Sequence, residues 1–310
     1  MADEEAQGQM LDEDIDSVVR TTRDDNVIRE RLQSYLASQL PGGAKPQVSE
    51  ISSPSASGMS SETLLFDATW TEAGGGAGGG AFVGRMAPSQ ADHPTFPTYD
   101  MKMQADVLRL AEKGGVPVPN VRWIELNPDV LGAPFFVMER LRGRVPADVP
   151  TYLSEGWVFD ATSEERKVMQ DNTVAAIAKI HAIDVDNQDV GFLEFDEPGD
   201  SPLRRHVANQ RSYYEWIATT RRSPLIERAF TFLESNWQKE TSRVVAWGDS
   251  RIGNIMYSND GFEPVAILDW EMAGLGTREI DLGWLAFMHT FFQKLFEQMG
   301  APGLPDFLKA

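Results

Sequence analysis

The chain contains no cysteine, which excludes disulfides, thiolate zinc sites and thiol nucleophiles together. It also lacks an apolar run long enough to span a bilayer; the nearest, LGWLAFMHTFF, is too short and carries His289. The start, MADEEAQGQMLDEDID, is acidic and has none of the basic-then-apolar order of a signal peptide. Together these absences predict a cytoplasmic protein. Positive charge is scarce, since 28 Lys and Arg against 47 Asp and Glu give a net charge of −19. Duplex nucleic acid and anionic membrane are therefore poor partners, and cationic or metal-bound ligands suit the chain better. No Gly-Lys-Ser/Thr sequence occurs, which excludes a P-loop. No internal repeat is visible, and nothing in the sequence fixes an oligomeric state.

What is present divides into two textures. The length of 310 residues suits one large domain or two small ones. Residues 1–22 read as an acidic, disordered tail. Asp24 or Asp25 can cap a helix with Ile28, Leu32, Leu36 and Leu40 on its apolar face, ended by Pro41-Gly42-Gly43. KPQVSEI, ETLLFDATW and AFVGRM then read as strands separated by Ser- and Gly-rich turns. A helix follows in TYDMKMQADVLRLAEKGG, closed by Gly114-Gly115, and two more strands in PNVRWIEL and APFFVMERL. After Arg142 the chain turns helical: EERKVMQDNTVAAIAKIHAI, LRRHVANQRSYYEWIA and PLIERAFTFLESNW. The expectation is an α+β protein with a strand-rich segment over 23–140 and a mostly helical one over 141–310.

The informative stretch is VVAWGDSRIGNIMYSNDGFEPVAILDWEMAG, residues 244–274. Short apolar strands alternate there with polar turns, and Asp249, Asn254 and Asp269 sit at strand ends. Strand ends hold side chains rigidly and leave their tips open to a cleft. An amide and a carboxylate from adjacent hairpin strands can grip one hard cation, because Mg²⁺ takes oxygen ligands in a tight octahedron. A carboxylate five residues before the amide can orient a hydroxyl, and Arg251 would bring a fixed cation into the same space.

Aspartate, asparagine five residues on, then a metal-binding aspartate is the order of the protein-kinase catalytic loop. Asp-Phe-Gly and Ala-Pro-Glu are absent, which argues against a protein substrate. The stretch resembles the aminoglycoside phosphotransferase and choline kinase family of small-molecule kinases: Trp247-Gly248-Asp249, SRIG, Asn254, then Leu268-Asp269-Trp270-Glu271. GLGTREIDLGWL continues the likeness with Asp281 at the family's helix-opening aspartate, although Thr277-Arg278 replaces Asp-Pro. RIGN with LDWEMAGLG and DLGWL looks most like the branch associated with acyl-CoA dehydrogenases. VPVPNV, FFVMERLRG and IHAID are looser matches.

The resemblance implies a protein-kinase-like two-lobed fold, with an N-lobe over 23–140 and a C-lobe over 141–310. It implies ATP and Mg²⁺ as cofactors and a small-molecule alcohol as acceptor. Asn254 and Asp269 would hold the metal, Asp249 would orient the acceptor hydroxyl, and Arg251 would meet charge on the transferred group. The nucleotide would meet Arg85, Gln104, Gly58, Ser60, Met138 and Glu139, its adenine lying against the connection around Phe136–Leu141. Relatives phosphorylate aminoglycosides, choline and sugars, and the dehydrogenase-associated branch points toward hydroxyacyl thioesters. Further helices closing the acceptor pocket are expected beyond LPDFLKA, as in a chain truncated at its C-terminus. The alternative is a nucleotide-binding module of the same fold without turnover, motivated by Gln104 and Trp247.

Arg85 stands where kinases have the strand-three lysine, and its fork suits phosphate. Gln104 replaces that lysine's glutamate partner and can accept a hydrogen bond without neutralising the arginine. Trp247 replaces the family's histidine, and an indole donates without accepting; it reads as a changed brace. Glu271 is a candidate support for a second metal or the acceptor. Asp281 reads as a helix cap or loop brace. His181 reads as a satisfied core residue, His93, His206 and His289 as ordinary histidines, and Tyr213, Tyr214 and Trp216 as packing. The run AGGGAGGGA invites comparison with a phosphate-wrapping loop. It lies between ETLLFDATW and FVGRM, so Gly74 to Gly80 is expected to be a hairpin turn. The covering position falls instead to Ser52–Ser61.

Overall fold

Asp24 accepts from the backbone N–H groups of Asn26 and Val27 and so starts α1, Asp25–Gln39. This computed structural model describes residues 23–53, 61–72, 74–88, 95–148, 151–219, 221–240 and 242–308. Ile28, Leu32 and Leu36 are buried along α1 as the spacing predicts, with Tyr35 beside them; Leu40 follows the helix as its half-buried C-cap.

Among the described residues, nine strands and seven α-helices run from a strand-rich part to a mostly helical one, as expected. β1 (Gln47–Val48), β2 (Glu62–Thr71) and β3 (Ala77–Met86) are antiparallel neighbours. With β4 (Val121–Glu125) and β5 (Phe135–Glu139) the strand order is β1-β2-β3-β5-β4. α2 (Met101–Lys113) precedes β4, and a short α3 (Pro128–Leu131) lies between β4 and β5. Asn127 caps α3 and Gly132 ends it in the left-handed region. The helical stretches become α4 (Ser163–His181), α5 (Pro202–Ile217) and α6 (Pro224–Ser235). Thr162 and Glu165 form a reciprocal capping box at the start of α4. β6 (Val244–Ala246) pairs with β9 (Gly274–Gly276), and β7 (Ile255–Tyr257) pairs with β8 (Pro264–Ile267). α7, Arg278–Gln298, follows β9.

Two compact units result. The first runs to Phe96 and includes Glu125–Val137; the second comprises Pro97–Ile124 and the chain from Met138 onward. The stretch carrying α2, grouped by sequence with the strand-rich segment, thus clusters with the helical one. In the first unit Tyr35 meets Phe135 edge-on at 5.1 Å, and Phe66 packs on Phe82 at 5.7 Å. In the second, Tyr257 is fully buried and its hydroxyl lies 2.7 Å from Thr173 Oγ1 on α4. Among the described residues no helix is long and apolar enough to cross a membrane.

The β2–β3 hairpin corrects the reading of the glycine run. Only its first part turns: Gly75 N–H donates to Glu72 O and Glu72 N–H to Gly76 O, both at 2.8 Å. Gly78, Gly79 and Gly80 are strand residues paired with Trp70, Thr69 and Ala68. A Cβ on Gly78 would collide with the Trp70 indole. At Gly79, φ is +152° and a Cβ would stand 2.5 Å from Ala68 O. Gly78 thus leaves room for the Trp70 indole to lie across the hairpin. Gly58 and Ser60, with most of Ser52–Ser61, lie outside the described residues.

Candidate active site

β6 ends at Ala246, and Trp247 and Gly248 carry the chain into the loop that holds Asp249. Gly248 has φ +90° and sits against the Met272 backbone, so only glycine fits the bend. The loop is held from below by Asp281 on α7, which is fully buried. Its Oδ2 accepts from Trp247 N–H at 3.0 Å and its Oδ1 from Gly248 N–H at 2.8 Å. His181 Nε2 lies 2.7 Å from the same carboxylate, and Ser250 Oγ donates to Asp281 O at 2.6 Å. Asp281 is thus the loop brace expected of it, and His181 is a satisfied core residue.

Trp247 is also buried, and its Nε1–H donates to Leu268 O at 2.9 Å and Asp269 O at 3.1 Å. The indole ties the Asp249 loop to the segment bearing Asp269. This is the changed brace the sequence suggested, acting purely as a donor.

Asp249 and Asn254 meet directly. Asn254 Nδ2 donates to Asp249 Oδ2 at 2.7 Å and to Asp249 O at 3.1 Å. Asn254 belongs to a 3₁₀ turn, Ile252–Asn254, one residue before β7. Its carbonyl accepts from Leu268 N–H at 2.8 Å, which links it to the end of β8. Asp269 follows there with φ +58°, one of two non-glycine residues at positive φ among those described. Aspartate tolerates that region better than most side chains. Asp269 and Glu271 are both half-buried. Trp270 is buried and donates to Ile267 O at 3.0 Å.

Arg251 reaches Asp249 Oδ2 with Nε at 3.2 Å and pairs through Nη1 with Asp148. Burial works against its charge, but Asp148 and Asp249 outweigh that and raise its pKa. Beside it lies a depression of ≈ 20 Å³ lined in part by Asp148, Tyr152, Arg251, Leu285, His289 and Phe292. Tyr152 OH sits 3.1 Å from His289 Nδ1. Burial pushes the Tyr152 phenol up and holds His289 down at about 4, so the imidazole is neutral near neutral pH.

The remaining candidates sit elsewhere on the fold. Arg85 is on β3, where Nη1 donates to Thr63 Oγ1 at 2.9 Å. Gln104 is buried on α2 in the other compact unit. Met138 and Glu139 end β5, half-buried, with Glu139 3.6 Å from Arg122. The sequence reading missed Trp284, whose Nε1–H donates to Asp249 Oδ1 at 2.8 Å. Its position three residues after Asp281, on the same helix face, was the available signal.

The profile of the phosphotransferase enzyme family (APH) matches residues 71–304. The chain is 26% identical over 273 residues to the Arabidopsis thaliana protein named "Probable acyl-CoA dehydrogenase IBR3", covering 81% of this chain and 31% of that one. It is 24% identical over 261 residues to acyl-CoA dehydrogenase family member 11 of Rattus norvegicus, covering 83% and 31%. The chain therefore spans about a third of the length of these curated relatives.

Among solved structures, a "putative aminoglycoside phosphotransferase" of Ralstonia eutropha superposes with TM-score 0.59 at 20% identity, covering 89% of this chain and 81% of that one. Macrolide 2′-phosphotransferase type I gives 0.54 at 16% identity, covering 89% and 82%. These likenesses are of fold, and they make it the α+β kinase-like phosphotransferase fold. The profile match takes in the Asp249 loop, Asn254, Asp269 and the α7 brace alike, and by it the chain belongs to the phosphotransferase enzyme family.

Proposed function

We propose that the protein transfers the γ-phosphoryl group of ATP, with Mg²⁺, to a hydroxyl of a small molecule. One observation carries the reading: Asp249 is bonded to Asn254, and Asn254 is bonded through its backbone to the residue before Asp269. A base and two oxygen ligands thus share one hydrogen-bonded constellation.

The donor set suits a hard cation. Both side-chain bonds of Asn254 are made by Nδ2, leaving Oδ1 as the amide's ligand end. Among the described residues there is no group of three or more His, Asp or Glu that could hold a metal. One carboxylate and one amide match a Mg²⁺ that takes its other ligands from phosphates and water. When bound there, Mg²⁺ supplies neutralisation of the phosphate charge.

In this reading the acceptor oxygen attacks the γ-phosphorus, the bond to ADP breaks, and the hydroxyl proton passes to Asp249. Transfer is largely dissociative, so the proton moves late and positioning outweighs basicity. Arg251 meets charge on the transferred group, and Arg85 and Gln104 serve the nucleotide phosphates. Met138 and Glu139 meet the adenine.

ADP release from Mg·ATP tests this, with ethanolamine, an aminoglycoside, a macrolide and a hydroxyacyl thioester as trial acceptors. Release that depends on one of them supports phosphoryl transfer. Release to water alone would mark a hydrolase, and tight nucleotide binding with no release would mark a binding module. Asp249→Asn should lower single-turnover transfer by about 10²- to 10⁴-fold with ATP·Mg²⁺ affinity retained. Equal losses in both would make Asp249 a structural or metal-site residue.

A further inference from the structure

The carboxylate of Asp249 offers about four lone-pair positions, two on each oxygen. Oδ2 uses both, one for Asn254 Nδ2 and one for Arg251 Nε. Oδ1 uses one, for the indole N–H of Trp284 at 2.8 Å. Among the described residues one position is left without a donor, and it is on Oδ1.

We propose that Trp284 is the positioning residue of the reaction: it fixes the rotation of the Asp249 carboxylate so that this last position on Oδ1 faces the acceptor hydroxyl. Without the indole, Asp249 stays tethered at Oδ2 but is free to rock about χ2, a broad torsion with no staggered well to hold it. The indole is itself well placed to resist that motion. Three residues earlier on the same face of α7, Asp281 anchors the backbone of Trp247 and Gly248. One helix therefore grips the loop twice, first by its main chain and then by its catalytic side chain. Trp284 also packs against Phe287 at 5.7 Å, which limits the rotamers of the ring. Trp284 touches neither phosphate nor hydroxyl in this arrangement; it acts only through Asp249.

The proposal rests on the phosphotransferase reading above, and its test separates the two. Trp284→Phe keeps the ring packing and removes only the donor, while Trp284→His restores an N–H. Turnover is measured as ADP release from Mg·ATP, to water and to whichever trial acceptor supports transfer. Trp284→Phe should lower kcat by about 10- to 100-fold, the scale of a misaligned catalytic group, and leave the KM for ATP within about twofold. Trp284→His should recover part of kcat. In Asp249→Asn, adding Trp284→Phe should change kcat by less than about threefold, because both changes act on one group. The Trp284 indole N–H resonance, assigned by its loss in Trp284→Phe or in Trp284→His, should move upfield in Asp249→Asn as the charged acceptor disappears.

Wild-type kcat in Trp284→Phe would overturn the proposal with the phosphotransferase reading intact. So would a fall in kcat that Trp284→His fails to relieve at unchanged melting temperature. An indole resonance indifferent to Asp249→Asn would overturn it even if Trp284→Phe failed to fold. A wild-type protein that binds ATP but never releases ADP would instead refute the reading beneath it.

Discussion

Replacing Asp281 should be among the most damaging single changes in the second compact unit. Its carboxylate is fully buried and receives three groups: Trp247 N–H, Gly248 N–H and His181 Nε2. Asp281→Ala strands all three, and a buried donor left without a partner costs about 1–3 kcal/mol. The three losses share one relaxing site, so they do not simply add. A loss of about 2–5 kcal/mol is the expected range for stranding several buried donors at one site. Asp281→Asn keeps one carbonyl oxygen but turns an NH₂ group toward a neighbouring donor, and should cost about 1–3 kcal/mol.

Urea unfolding followed by tryptophan fluorescence measures this, since Trp247 is wholly buried beside the site. The midpoint should fall in the order wild type, Asn, Ala, with an unchanged slope. His181→Ala removes one of the three donors and leaves the two backbone bonds in place, so it should cost less than Asp281→Ala. If Asp281→Ala stayed within about 1 kcal/mol of wild type, the loop would not depend on this carboxylate, and the brace argument would fail.

Asp269→Ala should abolish Mg²⁺-dependent nucleotide turnover; wild-type turnover at ordinary Mg²⁺ would remove Asp269 from the metal site. Gly79→Ala should destabilise the β2–β3 hairpin by about 1–3 kcal/mol, whereas Gly76→Ala, with nothing within 4 Å of its Cβ, should change stability by less than about 0.5 kcal/mol. Equal effects in thermal melts would contradict the strand assignment of Gly79. His289 is held neutral by burial, with its folded pKa near 4 and its unfolded value near 6.5, so the unfolded chain binds the extra proton first. Its contribution is complete above pH 6.5 and is lost as pH falls toward 4, an effect on the order of 2–4 kcal/mol. His289→Phe should flatten that limb of the stability–pH curve; an unchanged slope would show that the histidine does not titrate there.

Much of the site was legible because it is local in sequence. Asp249, Asn254 and Asp269 lie within 21 consecutive residues, and strand-turn alternation alone places them at strand ends. The cap of α1 follows from Asp24 before apolar periodicity, whereas Asp100 and Thr162, which cap α2 and α4, emerge only from the structure. Glycine defeated the same rules twice. Gly78–Gly80 carries no side chain and Gly274–Gly276 only that of Leu275, too little for a pattern, so their strand character is set by the partners β2 and β6. The first stretch was read as turn, and the second passed unread. KPQVSEI shrank to two strand residues, and α3 was missed although Asn127-Pro128 and Gly132 mark its ends. The bond from Trp284 to Asp249 joins residues 35 apart, and only the fold brings them together.

Asp269 sits at φ +58°, a conformation that glycine and asparagine accept as readily as aspartate. Both are reached from an aspartate codon by a single base change. A lineage of this protein can therefore lose the proposed metal ligand through glycine, or its charge through asparagine, in one mutational step that the backbone conformation accommodates. The backbone conformation alone would not oppose that step; selection for phosphate chemistry would. The residue at 269 would then help to tell inactive descendants apart from working enzymes.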